Sequence, residues 1–164
     1  MAVKIQNSST HMLDEVDFKI LRLLQVDAKL TNKQIAAKVH LSATPIFERI
    51  KRLERNGFIK KYMAVVDAEK LGKSLIVFCN VNLKEHTKEI GNKFVKDITS
   101  LEEVTECYNI SGDYDFLMKV MVRDMKHYQD FVINKLGLIE NIGSAHSTFV
   151  MGEIKQSYAV PLGD

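Results

Sequence analysis

The sequence has few cysteines and no long apolar run, and these two absences exclude several classes of protein. Only Cys79 and Cys107 are present among 164 residues, without the paired spacing of a zinc or redox site. We therefore expect two buried free thiols. No apolar stretch approaches the length of a membrane helix, and no signal-peptide hydrophobic region precedes the first predicted helix. These absences predict a soluble, cytoplasmic protein with no membrane partner.

Sequence motifs for catalysis are also missing. The chain contains no nucleophile elbow, no phosphate-binding loop and no metal ligands at a recognised spacing. An enzyme would have to use Asp113, Asp115 and a histidine such as His127 or His146. Nothing in their spacing indicates such a role. We therefore expect neither enzymatic activity nor a bound cofactor or metal.

The overall net charge of +2 conceals an uneven distribution along the chain. Residues 1–62 carry 12 Lys and Arg against 6 Asp and Glu, a net charge of +6. Residues 63–164 carry 11 against 15, a net charge of −4. Only the first part is suited to contact a polyanion such as DNA. The acidic second part is better suited to bind protein or a small molecule.

Residues 31–59 have the pattern of a DNA-reading helix-turn-helix. Thr31, followed three residues later by a glutamine, predicts a capping box at the start of the first helix. His40 lies at the corner, where histidine tolerates a positive φ better than most residues. Ser42 is the predicted N-cap of the second helix and Gly57 its left-handed C-cap. A preceding helix at residues 13–26 would complete a shared apolar centre.

The second helix of this motif is the predicted recognition helix. Ile46, Ile50 and Leu53 form its inner apolar face, which leaves the opposite face free for DNA. Long cationic side chains on that face suit phosphate contacts, and residues near the helix start can reach base edges. The predicted DNA-binding residues are Ser42, Ala43, Thr44, Phe47, Glu48, Lys51, Arg52 and Arg55.

Beyond Gly72 the pattern predicts alternating strands and helices. The order β-α-β-β-α-β is that of a ferredoxin-like unit, an antiparallel sheet covered on one face by two helices. The first strand is apolar on both faces, which indicates that the open sheet face pairs with a second subunit. The chain is therefore predicted to be an α+β protein that forms an obligate dimer. The predicted elements are residues 75–83 (strand), 88–98 (helix), 104–110 and 116–122 (strands), 124–136 (helix) and 147–154 (strand).

The loop Ser111-Gly112-Asp113-Tyr114-Asp115 joins the two middle strands and allows two interpretations. Gly112 and Asp113 are ordinary turn-forming residues, so the loop could serve structure alone. Alternatively, its carboxylates could bind the ammonium group of a zwitterion while its amides bind the carboxylate. The composition does not choose between them.

Fragments in a fixed order along nearly all of residues 13–158 give the chain a specific resemblance. It resembles the Lrp/AsnC family, the feast/famine transcriptional regulators. The fragments that carry the resemblance are Leu13-Asp14 with Asp17 and Ile20-Leu21, Leu41-Ser42, Glu48-Arg49-Ile50, Arg52-Leu53-Glu54, Gly57-Phe58-Ile59, Leu71-Gly72, Glu103-Val104 with Glu106-Cys107, Gly112-Asp113-Tyr114-Asp115, Phe149-Val150-Met151 and Glu153-Ile154-Lys155.

The resemblance implies a winged helix-turn-helix joined to a ferredoxin-like effector domain, with dimers that assemble further, often to octamers. It also implies that a bound amino acid controls transcription. In that family the effector lies between subunits or between dimers, near the loop and near hydroxyl residues of the last strand. The family's Thr-x-Thr on that strand appears here as Ala145-His146-Ser147. The implied effector-binding residues are Gly112, Asp113, Tyr114, Asp115 and Ser147.

These observations divide the chain and leave one alternative function. We expect a disordered lead or tag remnant at residues 1–12 and a helix-turn-helix DNA-binding domain at 13–60. A strand and hinge linker at 61–72 would follow, then a ferredoxin-like ligand-binding and oligomerisation domain (the effector domain) at 73–158 and a tail at 159–164. The linker strand is either a wing or a hinge. The expected function is effector-modulated, sequence-specific DNA binding. The alternative is an architectural DNA-wrapping protein whose second domain only oligomerises.

Overall fold

In the computed structural model, which describes residues 13–163, the chain forms two units. One contains residues up to 64 together with the segment from residue 155 onward, and the other contains residues 65–154. The expected disordered lead at residues 1–12 lies outside the described residues. No described helix is long and apolar enough to span a membrane.

The N-terminal unit contains three helices, α1 (Glu15–Val26), α2 (Asn32–Val39) and α3 (Ala43–Arg55). Each helix turns one apolar stripe inward, as its spacing predicts. Full burial of one such aliphatic side chain contributes about 1.5–3 kcal/mol, so the shared core accounts for much of this unit's stability. The buried core residues are Ile20, Ile35, Ala36, Ile46, Ile50 and Leu53.

Local signals fix the ends of these helices. The capping box at Thr31 is confirmed, and His40 has the predicted left-handed conformation, with φ of 57°. Gly57 also has a positive φ, 76°, directly after α3, and Phe58 N–H donates to the Leu53 carbonyl in a Schellman-type ending. Ser42 takes the predicted N-cap position, which is confirmed, although its side chain makes no capping hydrogen bond.

The linker departs from the sequence-based expectation. The predicted strand at residues 62–66 does not form, and the segment is exposed without regular secondary structure. A strand needs a neighbouring strand to accept its amide hydrogen bonds, and none of the described residues supplies one. A turn follows, in which Lys73 N–H donates to the Ala68 carbonyl at 2.8 Å and Gly72 has a φ of 69°.

The C-terminal unit has the predicted ferredoxin-like arrangement. Its elements are β1 (Leu75–Leu83), α4 (Lys88–Thr99), β2 (Val104–Asn109), β3 (Phe116–Val122), α5 (Met125–Asn134) and β4 (Ile142–Phe149). The four strands pair antiparallel in the order β2-β3-β1-β4. The inner face of the sheet packs against helices α4 and α5 through a core that includes Val77, Val81, Phe94, Met118 and Phe131. A short 3-10 helix, Leu136–Leu138, follows α5.

The last strand was predicted in the wrong place. It runs from Ile142 to Phe149 rather than over residues 147–154. Because β4 is an edge strand and mostly exposed, it lacks the apolar alternation from which strands are recognised. Its position is fixed instead by pairing with β1, where Ser147 lies opposite Cys79.

The last described residues lie with the N-terminal unit rather than with the sheet. The Gln25 side chain on α1 accepts a hydrogen bond from Val160 N–H at 2.6 Å and donates to the Val160 carbonyl at 3.2 Å. The Gln25 side-chain amide thus satisfies both the N–H and the carbonyl of Val160, as a residue of a neighbouring strand would. Residues 155–158, which the sequence assigned to the effector domain, therefore belong to the N-terminal unit.

Candidate DNA-reading and effector sites

The outer face of α3 presents the predicted DNA-binding residues to solvent. Ile46, Ile50 and Leu53 are buried. The residues of the opposite face are exposed, namely Thr44, Phe47, Glu48, Lys51 and Arg55. Ala43 is half-buried and Ser42 is exposed. The structure therefore brings Ser42, Ala43, Thr44, Phe47, Glu48, Lys51 and Arg55 to one accessible end and face of the helix.

Two arginines of α3 bind a buried carboxylate on α1. Asp17 is fully buried. Its Oδ1 accepts a hydrogen bond from Arg49 at 2.8 Å and its Oδ2 accepts one from Arg52 at 2.5 Å. Arg49 also bonds Asp14 at 2.6 Å. Hydrogen bonds from Arg49 to Asp17 and then to Asp14 raise the pKa of the Arg49 guanidinium, so this group stays charged and links α1 to the recognition helix.

This ion-pair cluster changes the interpretation of Arg52. The sequence assigned Arg52 to phosphate contacts, but the structure directs its guanidinium to Asp17 and leaves about a third of the side chain exposed. Asp14 and Asp17 also form a capping box at the start of α1. That box could have been found from the Asp-x-x-Asp spacing alone. The ion pair across helices could not, because it depends on how α1 packs against α3.

The remaining cations of α3 differ in their surroundings. Lys51 Nζ bonds Glu54 at 2.9 Å and lies 5.9 Å from the centre of the Phe47 ring. Glu54 in turn accepts a hydrogen bond from the Tyr62 hydroxyl at 3.0 Å. Arg55 is exposed, and no carboxylate within residues 13–163 pairs with it. Arg55 is therefore the cation best placed to reach a phosphate.

The loop at the end of the β2–β3 hairpin is fixed by Asp115. Its carboxylate accepts a hydrogen bond from Leu83 N–H at 2.8 Å and contacts His86 Nε2 at 3.0 Å. Its own N–H donates to the Val81 carbonyl at 3.0 Å and contacts the Asn82 side-chain oxygen at 3.2 Å. Asp115 thus anchors the loop to the end of β1. Asn82 and His86 are distant from the loop in the chain, so no local sequence pattern indicated that they contact it.

Among the preceding residues of the loop, Gly112 and Asp113 are exposed and Tyr114 is half-buried. Gly112 has a φ of 126°, a conformation that L side chains rarely adopt. The Asp113 carbonyl accepts a hydrogen bond from the Asn82 amide at 3.0 Å, but its carboxylate has no partner among the residues described here. The amides of Gly112, Asp113 and Tyr114 likewise donate to no other described residue. The loop therefore offers both a carboxylate and amide donors to a ligand.

Ser147 lies on the opposite side of the sheet from Tyr114. Its side chain is on the helix-covered face, where its Oγ lies 2.6 Å from the Tyr128 hydroxyl. Burial raises the pKa of Tyr128 to about 12. The Tyr114 ring instead stacks on His146, with ring centres 6.3 Å apart. Within one protomer, the structure does not bring Ser147 together with the loop, and His146 is the last-strand residue that contacts it.

A groove beside the edge strand lies at the same end of the sheet as the loop. Its volume is about 490 Å³ and its lining includes Lys84, Leu136, Ile142 and Ala145. Ala145 pairs with Val81 in the sheet, and the Val81 carbonyl accepts the Asp115 amide. The volume falls in the range of small-molecule sites.

Glu103 forms a buried ionic cluster with one residue from each end of α5. Its side chain is 1% exposed, and its Oε1 bonds Lys135 Nζ at 2.5 Å and contacts His127 Nε2 at 3.3 Å. Burial alone would raise the pKa of the Glu103 carboxyl, but hydrogen bonds from Lys135, from backbone and from His127 lower it below its usual value. His127 and Lys135 lie at the two ends of α5, so Glu103 fixes that helix against the sheet.

Comparison with known proteins also divides the chain into two parts, although the second matched region extends to residue 160 and so includes residues that pack with the N-terminal unit. Residues 13–60 match the winged helix-turn-helix DNA-binding family model, and residues 76–160 match the Lrp/AsnC ligand binding domain. The chain is 37% identical over 145 residues to the leucine-responsive regulatory protein of Klebsiella pneumoniae, covering 88% of each chain. It is 36% identical over 151 residues to the DNA-binding transcriptional activator DecR of Escherichia coli K12, covering 92% of this chain and 99% of the relative.

Solved structures of regulators share the whole fold. A transcriptional regulator of Neisseria meningitidis in complex with L-Met superposes with a TM-score of 0.88 at 32% identity, covering 92% of this chain and 97% of the other. An AsnC family regulator of Agrobacterium tumefaciens gives a TM-score of 0.88 at 36% identity, with the same coverage. The shared fold therefore covers both the helix-turn-helix unit and the ligand-binding-type unit of this chain. The chain belongs to the Lrp/AsnC family of transcription regulators, which are DNA-binding proteins modulated by a small-molecule ligand and not enzymes.

Proposed function

We propose that an amino acid or related small metabolite binds at Gly112–Asp115 and thereby changes the assembly or the DNA affinity of this regulator. The observation that carries this proposal is the loop itself. Asp115 fixes its conformation through bonds to Leu83 and His86, while the Asp113 carboxylate remains exposed. A rigid loop with an accessible carboxylate binds a cation at little ordering cost.

The chemistry of the loop matches a zwitterion. The Asp113 carboxylate suits an ammonium group, and the amides of Gly112 and Tyr114, which donate to no other described residue, suit a carboxylate. The groove at the same end of the sheet, whose lining combines apolar residues with Lys84, Glu140 and Asn141, suits an aliphatic side chain. The Neisseria relative was solved with L-Met, which supports the same ligand class here. Because Ser147 faces the helices, we propose that it contributes through Tyr128 or to a site completed by another subunit.

We propose that the active species is a homodimer that assembles further, to an octamer, in the cytoplasm. Half-buried apolar residues on the open sheet face, Ile76, Phe78 and Leu117, support a subunit contact there because the helices cover only the other face. Exposed apolar residues of the linker, such as Met63 and Val65, support a further contact. A two-fold dimer would place two recognition helices about one helical turn apart on a pseudo-palindrome.

The effector proposal predicts that Asp113→Ala abolishes the response to an amino acid while leaving basal DNA affinity within about twofold. The substitution removes the partner of the ligand's ammonium group but touches no residue of α3. The measurement is fluorescence anisotropy with the promoter fragment of the protein's own gene at fixed salt, with and without each common amino acid. Asp97→Ala, on α4 of the same unit, is the control and should respond as the wild type does.

An unchanged response in Asp113→Ala would place the effector elsewhere. If the wild-type protein binds DNA tightly and no amino acid changes its affinity, the alternative architectural function would be favoured. The oligomeric state, measured in the same samples by analytical ultracentrifugation, separates an effect on assembly from an effect on DNA affinity.

The proposed phosphate contact of Arg55 predicts a specific salt dependence. Neutralising one phosphate releases about one condensed counterion. Arg55→Ala should therefore reduce the magnitude of the slope of log affinity against log salt by about 1 per recognition helix. The loss of affinity should be similar on all DNA sequences. Lys29→Ala, a surface cation between α1 and α2, serves as the control. A full slope in Arg55→Ala would remove Arg55 from the phosphate contacts.

A further inference from the structure

We propose that Phe47 reads thymine in the major groove by contact with the C5-methyl group of the base. This inference rests on the DNA-binding function proposed for the outer face of α3. It assigns a base to that surface and a specificity-determining role to one residue of it.

Phe47 lies on the reading face of α3 and outside the domain core. Thr44, Phe47, Glu48 and Lys51 are spaced as i, i+3, i+4 and i+7, so they share one face of the helix. The Phe47 side chain is 43% exposed and is not part of the buried cluster of the N-terminal unit. An exposed phenyl ring in the second turn of a recognition helix is therefore available to the DNA.

The neighbouring residues restrict what this face can recognise. Bidentate reading of guanine needs Arg or Lys near the helix start, but Arg49 is bonded to Asp14 and Asp17. Bidentate reading of adenine needs Asn or Gln, and residues 42–55 contain neither. Among the base edges of the major groove, only thymine presents an apolar group, the C5-methyl. An apolar side chain at this position is thus suited to thymine.

Lys51 and Glu48 support the same placement of the ring. Lys51 Nζ lies 5.9 Å from the centre of the Phe47 ring, within the range of a cation–π contact. This contact restrains the ring beside a cation that can face the phosphate backbone. Glu48, one residue further along, is exposed and can only accept hydrogen bonds when ionised. It suits the N4 amino group of cytosine. The surface therefore favours pyrimidine edges, with thymine opposite Phe47.

The test removes the C5-methyl group of single thymines from the DNA and compares the binding of wild-type and variant proteins. A 30-bp duplex enriched from a random library by the full-length protein is synthesised with each thymine replaced singly by deoxyuracil. This leaves every hydrogen-bonding edge unchanged. Burial of one methyl group predicts a three- to fivefold loss of affinity at about one thymine per half-site. Phe47→Ala should bind the thymine duplex more weakly and should lose the difference between thymine and uracil at that position.

Two further variants keep the result interpretable. Phe47→Leu retains an apolar side chain and should keep part of the discrimination. Val26→Ala, which removes an exposed apolar side chain at the end of α1, should discriminate as the wild type does. Circular dichroism confirms that each variant is folded.

Several outcomes would overturn the inference. Equal uracil sensitivity in wild type and Phe47→Ala would assign the effect to DNA shape or to another side chain. If replacing thymine by deoxyuracil lowers the affinity at no position, the protein does not recognise a thymine methyl group at all. If the library yields no enriched sequence, or binding shows no salt dependence, the proposed DNA-reading surface fails as well, and the two failures are thereby distinguished.

Discussion

Asp17→Ala is expected to remove a large part of the stability of the N-terminal unit and so to weaken DNA binding at 37 °C. The substitution removes the carboxylate that both Arg49 and Arg52 contact, at 2.8 and 2.5 Å. Loss of one partner from a buried ion pair costs about 3–5 kcal/mol. Because the two arginines are 25% and 35% exposed and can turn to water, we expect roughly 2–3 kcal/mol. A unit of this size is stable by only ~3–9 kcal/mol.

The measurement for Asp17→Ala is thermal unfolding followed by circular dichroism, together with DNA binding by anisotropy. Glu15→Ala is the matched control, since Glu15 lies on the same helix but pairs only with Lys19 at the surface. It should leave the melting temperature close to that of the wild type, because an exposed ion pair is screened by solvent. A melting temperature for Asp17→Ala equal to that of Glu15→Ala would show that the buried cluster is not what joins α1 to α3.

The cluster also shows where inference from sequence stops. Helix caps and apolar stripes depend on residues within four positions of each other. For that reason the capping box at Thr31, the left-handed His40 and the inner face of α3 were predictable. The partner of Arg52, by contrast, is 35 residues away on another helix. Its cationic side chain therefore suggested phosphate binding, whereas the structure directs it to Asp17.

Sheet pairing limited prediction in the second unit in the same way. Strands β1 and β3 were located correctly because they lie inside the sheet and alternate buried apolar residues. The edge strand β4 exposes polar residues, so its position depends on its pairing with β1. The linker at residues 62–66 has apolar strand-forming residues but no pairing partner among the described residues. Sequence propensity alone could not separate these two cases.

For the effector loop, the sequence indicated which residue types are present but not how they are used. Asp113 and Asp115 looked equivalent as ligand carboxylates. In the structure Asp115 bonds Leu83 and His86, whereas Asp113 points to solvent. Likewise, Ser147 and His146 are neighbours in the chain but lie on opposite faces of the sheet, because successive strand residues alternate. That alternation becomes informative only once the register with β1 is known.

Glu103→Ala is expected to destabilise the C-terminal unit by about 2–4 kcal/mol, since it leaves Lys135 and His127 without their shared partner. The measurement is urea unfolding at pH 7. Glu102→Ala is a matched control because the neighbouring residue is the same type but exposed, and it should unfold as the wild type does. Since Glu103 holds both ends of α5, its loss should also increase hydrogen exchange of that helix.

The pH dependence of stability provides a second test of this cluster. The pKa of Glu103 is lowered from 4.5 in the folded protein, so the folded state binds the proton less readily than the unfolded chain. The contribution of Glu103 is therefore complete above pH 4.5 and is lost as the pH falls through the folded pKa. Glu103→Gln should flatten this part of the stability curve below pH 4.5, whereas Glu102→Gln should leave it unchanged. Parallel curves for the wild type and Glu103→Gln would show that the Lys135 and His127 bonds do not stabilise the ionised carboxylate.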